Sequence, residues 1–224
     1  MKRIILTGAS SGLGASLAEV FHDAWYEVIW LCRSKPADFV NWIETDLTSE
    51  SSLEVAASKI KSDFSKFELM IQCAWDGHGE SINTLDWQKT EHTFRLNVIA
   101  PIVLTSNLLS DIKDNQADII NIGATIGFKP YNYFSVYGSS KWAMRWWTEN
   151  LQLELKWTPC RVIWVHPGGI DTAWNDRRRW EITEITWKGI GWGFMSPDEI
   201  AKFILQIYNL PKNMEVSEVI INRK

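Results

Sequence analysis

The sequence predicts an α/β domain built on a doubly wound parallel sheet of about seven strands, with helices on both faces. Apolar segments of strand length alternate with amphipathic segments of helix length along all 224 residues. The strand segments are continuously apolar, which is typical of strands buried on both faces. No linker, repeat or low-complexity tract interrupts this order, so we expect a single domain spanning residues 1–224.

Short apolar runs predict the strands, and apolar residues at helical spacing predict the helices. The expected strands are Arg3–Gly8, Glu27–Cys32, Asn41–Asp46, Phe67–Ala74, Ala117–Gly123, Cys160–Pro167 and Ser217–Asn222. The expected helices are Gly12–Ala24, Ser49–Phe64, Leu85–Ile112, Phe134–Trp157 and Ser196–Leu210. Pro101 should kink or divide the third helix, because proline cannot continue the hydrogen-bond ladder. Ser196, followed by proline and two acids, predicts a helix start.

Composition excludes several classes of protein. The net charge of −4 and the pI of about 5.6 give no reason to expect nucleic acid or an anionic membrane as a partner. No apolar run is long enough to span a bilayer, and the apolar run near the N-terminus is too short for a signal peptide, so we expect a cytoplasmic protein. Three cysteines with no metal-ligand spacing indicate reduced packing residues and no metal site.

A glycine-rich stretch, "TGASSGLG" (Thr7–Gly14), lies between the first predicted strand and the first predicted helix. Gly8 permits a tight turn, Gly12 lets the backbone approach a pyrophosphate, and Gly14 allows close packing of helix on strand. The helix N-terminus then faces the negative charge. We therefore expect a dinucleotide to bind here, at Gly8, Ser10, Ser11, Gly12, Leu13 and Gly14.

A second stretch, "YGSSK", places Tyr137 and Lys141 four residues apart on a predicted helix, so the two side chains share a face. An unperturbed phenol has a pKa near 10, which is too high for proton transfer at neutral pH. A neighbouring ammonium group should lower it. The pair therefore indicates a general acid or base.

Together with Asp46-Leu47, Asn97 and "PGGIDT" (Pro167–Thr172), these motifs resemble the short-chain dehydrogenase/reductase family over essentially the whole chain. The resemblance implies a Rossmann-like sheet in the order 3-2-1-4-5-6-7, a nicotinamide cofactor, and hydride transfer to or from a carbonyl carbon. It implies that Tyr137 is the acid or base, that Lys141 also holds the nicotinamide ribose, and that Asn97 carries a water-linked proton relay. The cofactor residues it implies are Asp46, Leu47, Ala74, Asn97, Tyr137, Lys141, Pro167, Gly168, Ile170 and Thr172.

The end of the second predicted strand bears on the choice of cofactor. An acid there would bind the 2′-hydroxyl of NAD and repel a 2′-phosphate. The sequence instead reads Cys32-Arg33-Ser34, and Arg33 and Ser34 are able to bind a phosphate. We expect NADP(H) rather than NAD(H); the alternative is a solvated arginine.

Two positions depart from the family pattern. The family serine, thirteen residues before the tyrosine, is replaced by Ala124. Thr125 supplies the hydroxyl only if the backbone has already turned, since neighbours on an extended chain point to opposite faces. In "CAWDGHG", Trp75 stands where the family has a glycine, and its indole could overlap the cofactor.

Tryptophan is unusually frequent, with 14 residues against 13 glycines. Trp25, Trp146, Trp157 and Trp164 also stand where the family tends to carry small residues. With Ala124 and Trp75, they indicate either a modified, function-reduced variant or a divergent natural member.

The sequence therefore predicts an NADP(H)-dependent reductase or dehydrogenase acting on a small carbonyl or alcohol, with reduced activity. The alternative is a catalytically silent nucleotide-binding protein that senses cofactor or pairs with a partner. The substrate should lie against residues 173–195, and its identity stays open. A stripe formed by Trp142, Trp146, Trp147 and Leu151 on the helix Phe134–Trp157 predicts a homodimer or homotetramer.

Overall fold

The computed structural model describes residues 1–35, 41–172 and 194–224. Within these ranges the chain forms a seven-stranded sheet in the order β3-β2-β1-β4-β5-β6-β7, and each neighbouring pair is parallel. The predicted doubly wound fold and its strand order are confirmed. The strands are β1 Lys2–Thr7, β2 Tyr26–Cys32, β3 Asn41–Glu44, β4 Leu69–Gln72, β5 Asp118–Ile122, β6 Val162–Pro167 and β7 Glu218–Ile221.

Helices cover both faces of the sheet, because successive strand residues point to opposite sides and both sides are apolar. Ile4 and Leu6 of β1 face one core, which α1 and α6 close, and Ile5 faces a second core, which α2, α4 and α5 close. The α-helices of the described ranges are α1 Gly12–Asp23, α2 Glu50–Asp63, α3 Trp87–Phe94, α4 Ala100–Asn115, α5 Ser135–Leu155 and α6 Pro197–Tyr208.

The start of α6 follows the sequence closely. Ser196 accepts a hydrogen bond from the backbone N–H of Asp198, and Glu199 reaches back to the N–H of Ser196, which completes a capping box. Pro197 occupies the first turn, where its missing N–H costs nothing. The helix start predicted at Ser196 is confirmed.

The predicted helix Leu85–Ile112 is interrupted, but before Pro101 rather than at it. A π-helical turn, Arg95–Ile99, joins α3 to α4. Pro101 has no N–H to bond a carbonyl of the preceding turn, and in the wider turn just before it the N–H of Ala100 bonds the carbonyl of Arg95. Asn97 is the one buried residue of this turn, with 3% of its surface exposed. The interruption therefore turns an amide side chain into the protein.

None of the helices within the described ranges is both long and apolar enough to cross a membrane. Cys32, Cys73 and Cys160 are buried and free of disulfides, as expected for packing residues.

Trp25 connects α1 to β2 in a strained conformation. Its φ is 66°, in the left-handed region, and its side chain is 80% exposed. Helices commonly end with one left-handed residue, and that residue is usually glycine because a Cβ is crowded there. The indole of Trp25 therefore adds backbone strain without adding buried area.

We predict that Trp25→Gly stabilises the protein by about 0.5–1 kcal/mol. The backbone strain that glycine removes at this left-handed position is larger than the free-energy cost of the extra conformational entropy that glycine gives the unfolded chain. Urea unfolding should show a higher midpoint with an unchanged slope. Trp157→Gly is the matched control, since Trp157 is 91% exposed but does not have a positive φ. An equal gain in both variants would contradict the assignment to backbone strain.

Candidate active site

A groove of about 370 Å³ opens at the carboxyl edge of the sheet, between the ends of β1 and β4. The strand order reverses there, and this point of a doubly wound sheet is where ligands bind. The groove brings together most of the cofactor residues expected from the sequence. They are Gly8, Ser10, Ser11, Gly12, Leu13, Gly14, Arg33, Ser34, Asp46, Leu47, Ala74, Ile170 and Thr172.

The glycine loop is shaped by close approaches of backbone. Gly8 has φ 75°, and a Cβ there would collide with the backbone of Ala74. Gly12 has φ 56°, and a Cβ there would lie 2.9 Å from Cγ2 of Thr172. Both positions therefore require glycine for space and for conformation. The loop leaves a cradle at the N-terminus of α1 that fits a pyrophosphate.

Thr7, at the end of β1, was not singled out from the sequence. Its hydroxyl oxygen accepts hydrogen bonds from the N–H groups of Cys73 at 3.1 Å and Ala74 at 3.2 Å. It thereby fixes the loop after β4 against the glycine loop. A polar residue at the end of an otherwise apolar strand was the available signal, and 3% exposure explains why its partners are protein groups.

One end of the groove is formed by the loops after β2 and β3. Arg33 and Ser34 line it with Asp46 and Leu47, and the described part of this wall carries no acid at the end of β2. The side-chain and backbone hydrogen bonds from Thr48 lower the pKa of the Asp46 carboxyl, with a smaller contribution from Arg33. A positive group and a hydroxyl therefore stand where a 2′-phosphate would be recognised.

Beyond Trp75, which lines the groove, lies a second group of buried side chains carried by α5. Tyr137 and Lys141 are 5% and 2% exposed, one helical turn apart. The Lys141 ammonium donates a hydrogen bond to the Ile122 carbonyl at 3.3 Å, and its Nζ lies 5.7 Å from the centroid of the Tyr137 ring. The two side chains thus share a face, as the sequence spacing indicates.

The protonation equilibria of this pair differ from the expectation. Burial raises the pKa of Tyr137, and the charge of Asp76 raises it further. Burial lowers the pKa of Lys141 to about 7. The pKa of Tyr137 is therefore raised here, where the sequence predicted a lowered one, and burial is the largest cause.

Asn97 joins the loop after β4 to α5. Its Oδ1 accepts a hydrogen bond from the N–H of Asp76 at 2.9 Å. Its Nδ2 donates to the carbonyl of Asp76 at 2.7 Å and to Oγ of Ser140 at 3.0 Å. The Ser140 hydroxyl in turn donates to the carbonyl of Tyr137 at 2.7 Å. Sequence reasoning missed Ser140 and Asp76, although Ser140 lies inside the "YGSSK" motif.

Ala124 follows β5 in an extended conformation, with φ −163° and ψ 155°. The chain then turns at once into a short 3₁₀ helix, Thr125–Gly127. The backbone turn that Thr125 would need in order to supply a hydroxyl is therefore present. Both interpretations of this position stay open from the geometry.

Trp75 lies in the groove, as its place in the sequence suggested. Its ring centroid is 5.6 Å from that of Tyr137, with the planes tilted by 33°. The Lys141 Nζ lies 5.3 Å from the centroid of the indole.

Five expected cofactor residues do not line the groove, namely Asn97, Tyr137, Lys141, Pro167 and Gly168. Asn97 and Lys141 line the smaller cavity beside it. Pro167 ends β6, and the N–H of Gly168 donates to the carbonyl of Ile221 at 2.8 Å, so their contacts are with β7. The chain reaches the groove only at Ile170 and Thr172. The predicted substrate segment, 173–195, falls outside the described residues except at its last two positions.

Comparisons with known proteins agree with this geometry. Residues 2–182 match the family model "short chain dehydrogenase". An uncharacterized oxidoreductase of Staphylococcus aureus strain MRSA252 is 25% identical over 98% of this chain and 96% of its own. An uncharacterized oxidoreductase of Bacillus subtilis strain 168 is 26% identical over 77% of this chain and 53% of its own.

Solved structures share the fold. Serine dehydrogenase complexed with NADP⁺ has a TM-score of 0.87 at 20% identity and covers 99% of this chain and 94% of its own. L-sorbose reductase from Gluconobacter frateurii, complexed with NADPH and L-sorbose, has a TM-score of 0.86 at 21% identity and covers 99% and 95%. With a parallel sheet, a glycine-lined groove and a family model that spans most of its length, the chain belongs to the short-chain dehydrogenase family of oxidoreductases.

Proposed function

We propose that this protein is an NADP(H)-dependent reductase or dehydrogenase of a small carbonyl or alcohol, with activity reduced at Ala124. The observation that carries the proposal is that Trp75 links a glycine-lined groove to a buried Tyr137–Lys141 pair. The volume of the groove lies within the usual range for small-molecule sites. The phosphate cradle follows β1 and the Tyr137–Lys141 pair lies on α5, and the fold brings both to the same edge of the sheet.

The residues present fit a dinucleotide at the adenosine and pyrophosphate positions. Gly8 and Gly12 would hold the pyrophosphate, Arg33 and Ser34 would bind a 2′-phosphate, and Asp46 would bind the adenine. When bound, the nicotinamide supplies or accepts the hydride. Solved structures of the same fold that contain NADP⁺ or NADPH support the choice of the phosphorylated cofactor.

Tyr137 delivers a proton to the substrate oxygen in reduction and removes it in oxidation. Lys141 lies on the same face and supplies positive charge when protonated. Its pKa of about 7 means that both protonation states are populated near neutral pH. Proton transfer by Tyr137 then takes place beside either a charged or a neutral Lys141.

Asn97 holds the geometry of this pair. It fixes Asp76 on one side and Ser140 on the other, so the β4 loop and α5 keep their separation. A cavity of about 20 Å³, lined by Asn97 and Lys141 among others, lies behind the lysine. That volume accommodates one water molecule, which supports a proton relay from Lys141.

Self-association is a further part of the proposal. Trp142 and Trp146 on α5 are 50% and 70% exposed. Leu151, expected on the same stripe, is instead buried at 5% and belongs to the core. The exposed stripe is narrower than the sequence suggested, but it remains apolar enough to favour a homodimer or homotetramer.

The first prediction from the proposed function concerns the cofactor. NADPH should bind more tightly than NADH by about 1.5–3 kcal/mol, because Arg33 makes a charge-assisted bond to the 2′-phosphate. Arg33→Asp should reverse the order of the two dissociation constants, measured by calorimetric titration. Lys35→Asp makes the same charge change two residues away, so a comparable reversal there would point to general electrostatics. Equal constants for the two cofactors in the unaltered protein would contradict the proposal.

The second prediction concerns the missing hydroxyl. Ala124→Ser should raise kcat by about 10²-fold or more, the usual effect of one donor to the substrate oxygen. The dissociation constant for NADPH should not change, and Tyr137→Phe should abolish turnover in either background. Rates are measured as NADPH oxidation across a panel of small carbonyl compounds.

Other outcomes of this experiment separate the alternatives. Good activity without a gain from serine assigns the hydroxyl to Thr125, and Thr125→Val should then be damaging. Binding of NADPH with no turnover in any variant would replace the reductase by the silent nucleotide-binding protein.

The third prediction concerns Lys141. Its pKa in the folded protein, about 7, lies below the ordinary 10.5, so between these values the unfolded chain binds more protons. Stability should therefore rise with pH across this window, by at most about 1.4 kcal/mol per pH unit, and the full cost of burial should be felt below pH 7. Lys141→Met removes this dependence.

The measurement is the free energy of unfolding of both proteins, without cofactor, as the pH is raised from 7 toward 10.5. The advantage of Lys141→Met should shrink steadily as the pH increases. Lys89→Met removes an exposed lysine and reports the effect of a lost surface charge alone. A constant difference between Lys141→Met and the unaltered protein would show that the folded protein keeps this lysine charged.

A further inference from the structure

Trp75 lies between the groove and the catalytic pair. The indole lines the groove, is half-buried, and stacks at 5.6 Å on the Tyr137 ring. It also covers the amino group of Lys141 at 5.3 Å. One side chain therefore contacts both residues of the pair that a substrate and a nicotinamide ring would have to reach.

The backbone on both sides of Trp75 is fixed. Before it, the N–H groups of Cys73 and Ala74 are held by the Thr7 hydroxyl. After it, the N–H and the carbonyl of Asp76 are both bonded to Asn97. The loop cannot retreat from the groove without breaking these bonds. Any clearance of the catalytic end must come from rotation of the indole about its own side-chain bonds.

The contacts of the indole favour its covering position. A cation–π contact with a desolvated ammonium and a tilted aromatic pair are both attractive. A ligand that enters this end has to break these contacts, and their loss weakens its binding. Arg33, Ser34 and Asp46 come from the loops after β2 and β3, whereas Trp75 follows β4 and contacts Tyr137 and Lys141, so this opposition acts on the part of the groove next to that pair.

We propose that Trp75 is a gate on the catalytic end of the groove, and that its indole must rotate off Lys141 and Tyr137 before the nicotinamide half of a dinucleotide can bind. The proposal rests on the proposed function for the identity of the ligand. It predicts that the two halves of NADPH respond differently to loss of the indole. The adenosine half binds with or without the gate, and the whole cofactor binds better without it.

The first test compares two ligands. Adenosine 2′,5′-bisphosphate probes the adenosine end alone, and NADPH probes both ends. Trp75→Gly should tighten NADPH about 10- to 100-fold, the range expected for loss of these two contacts, and should leave the bisphosphate within twofold. Trp75→Phe keeps a ring and should show a smaller gain. Trp157→Gly removes a remote, exposed indole and should change neither constant.

The second test needs no cofactor. An amine-acylating reagent is applied at neutral pH, and the rate of modification at Lys141 is followed by peptide mass spectrometry. Lys141 should react about tenfold or more faster in Trp75→Gly than in the unaltered protein, with Trp75→Phe between them, because the indole covers its amino group. Binding of the bisphosphate to Trp75→Gly confirms that the variant is folded.

The outcomes distinguish the gate from the proposed function. Unchanged NADPH affinity together with unchanged labelling of Lys141 overturns the gate and leaves the cofactor assignment intact. Weaker NADPH binding in Trp75→Gly also overturns it, because the indole would then be a platform for the cofactor. If neither ligand binds any variant, the cofactor assignment fails, and faster labelling would support only the covering role of the indole.

Discussion

The contact between the end of β1 and the end of β4 is the constraint on which the site depends. Gly8 touches the backbone of Ala74 so closely that no side chain fits, and the Thr7 hydroxyl accepts two N–H groups from the same loop. The strand order reverses between these two neighbouring strands, and the loops that follow them diverge to leave the groove. The position of the groove therefore follows from the sheet topology.

A second fixed point lies on the opposite wall. Asn97 uses its carbonyl oxygen and its amide group to bind Asp76 and Ser140, which ties the β4 loop to α5. Between the two anchors, Tyr137 and Lys141 are strongly desolvated. Their pKa values therefore move apart in the unfavourable direction, with a phenol harder to ionise and an ammonium easier to neutralise. The packing that positions the pair also buries it, so the site gains geometry at the expense of charge.

The sequence predicted the fold because its signals are local and repeated. Strands buried on both faces must be continuously apolar, and the glycine loop has few alternatives once it lies between a strand and a helix. The π-helical turn at Arg95–Ile99 was not predicted, since it differs from an α-helix by one residue and leaves no pattern in the apolar spacing. The pKa of Lys141 was not predictable either, because it depends on how little of the side chain water reaches. Leu151 was assigned to an interface because helical spacing alone does not show which residues of a stripe pack against the sheet. In the structure it is buried, whereas Trp142 and Trp146 are exposed.

Trp25 and Trp75 each occupy a position that would suit a smaller residue, for two different reasons. At Trp25 the backbone adopts a left-handed φ of 66°, which glycine tolerates and an aromatic residue does not, and the indole gains little burial. At Trp75 the side chain fills space that the groove would otherwise offer to a ligand. One position requires the flexibility of glycine and the other requires its small size. Five tryptophans of the described ranges are at least half exposed, namely Trp25, Trp87, Trp142, Trp146 and Trp157, so burial does not explain their presence. At Trp25 a glycine would therefore relieve backbone strain, and at Trp75 a smaller residue would widen the groove.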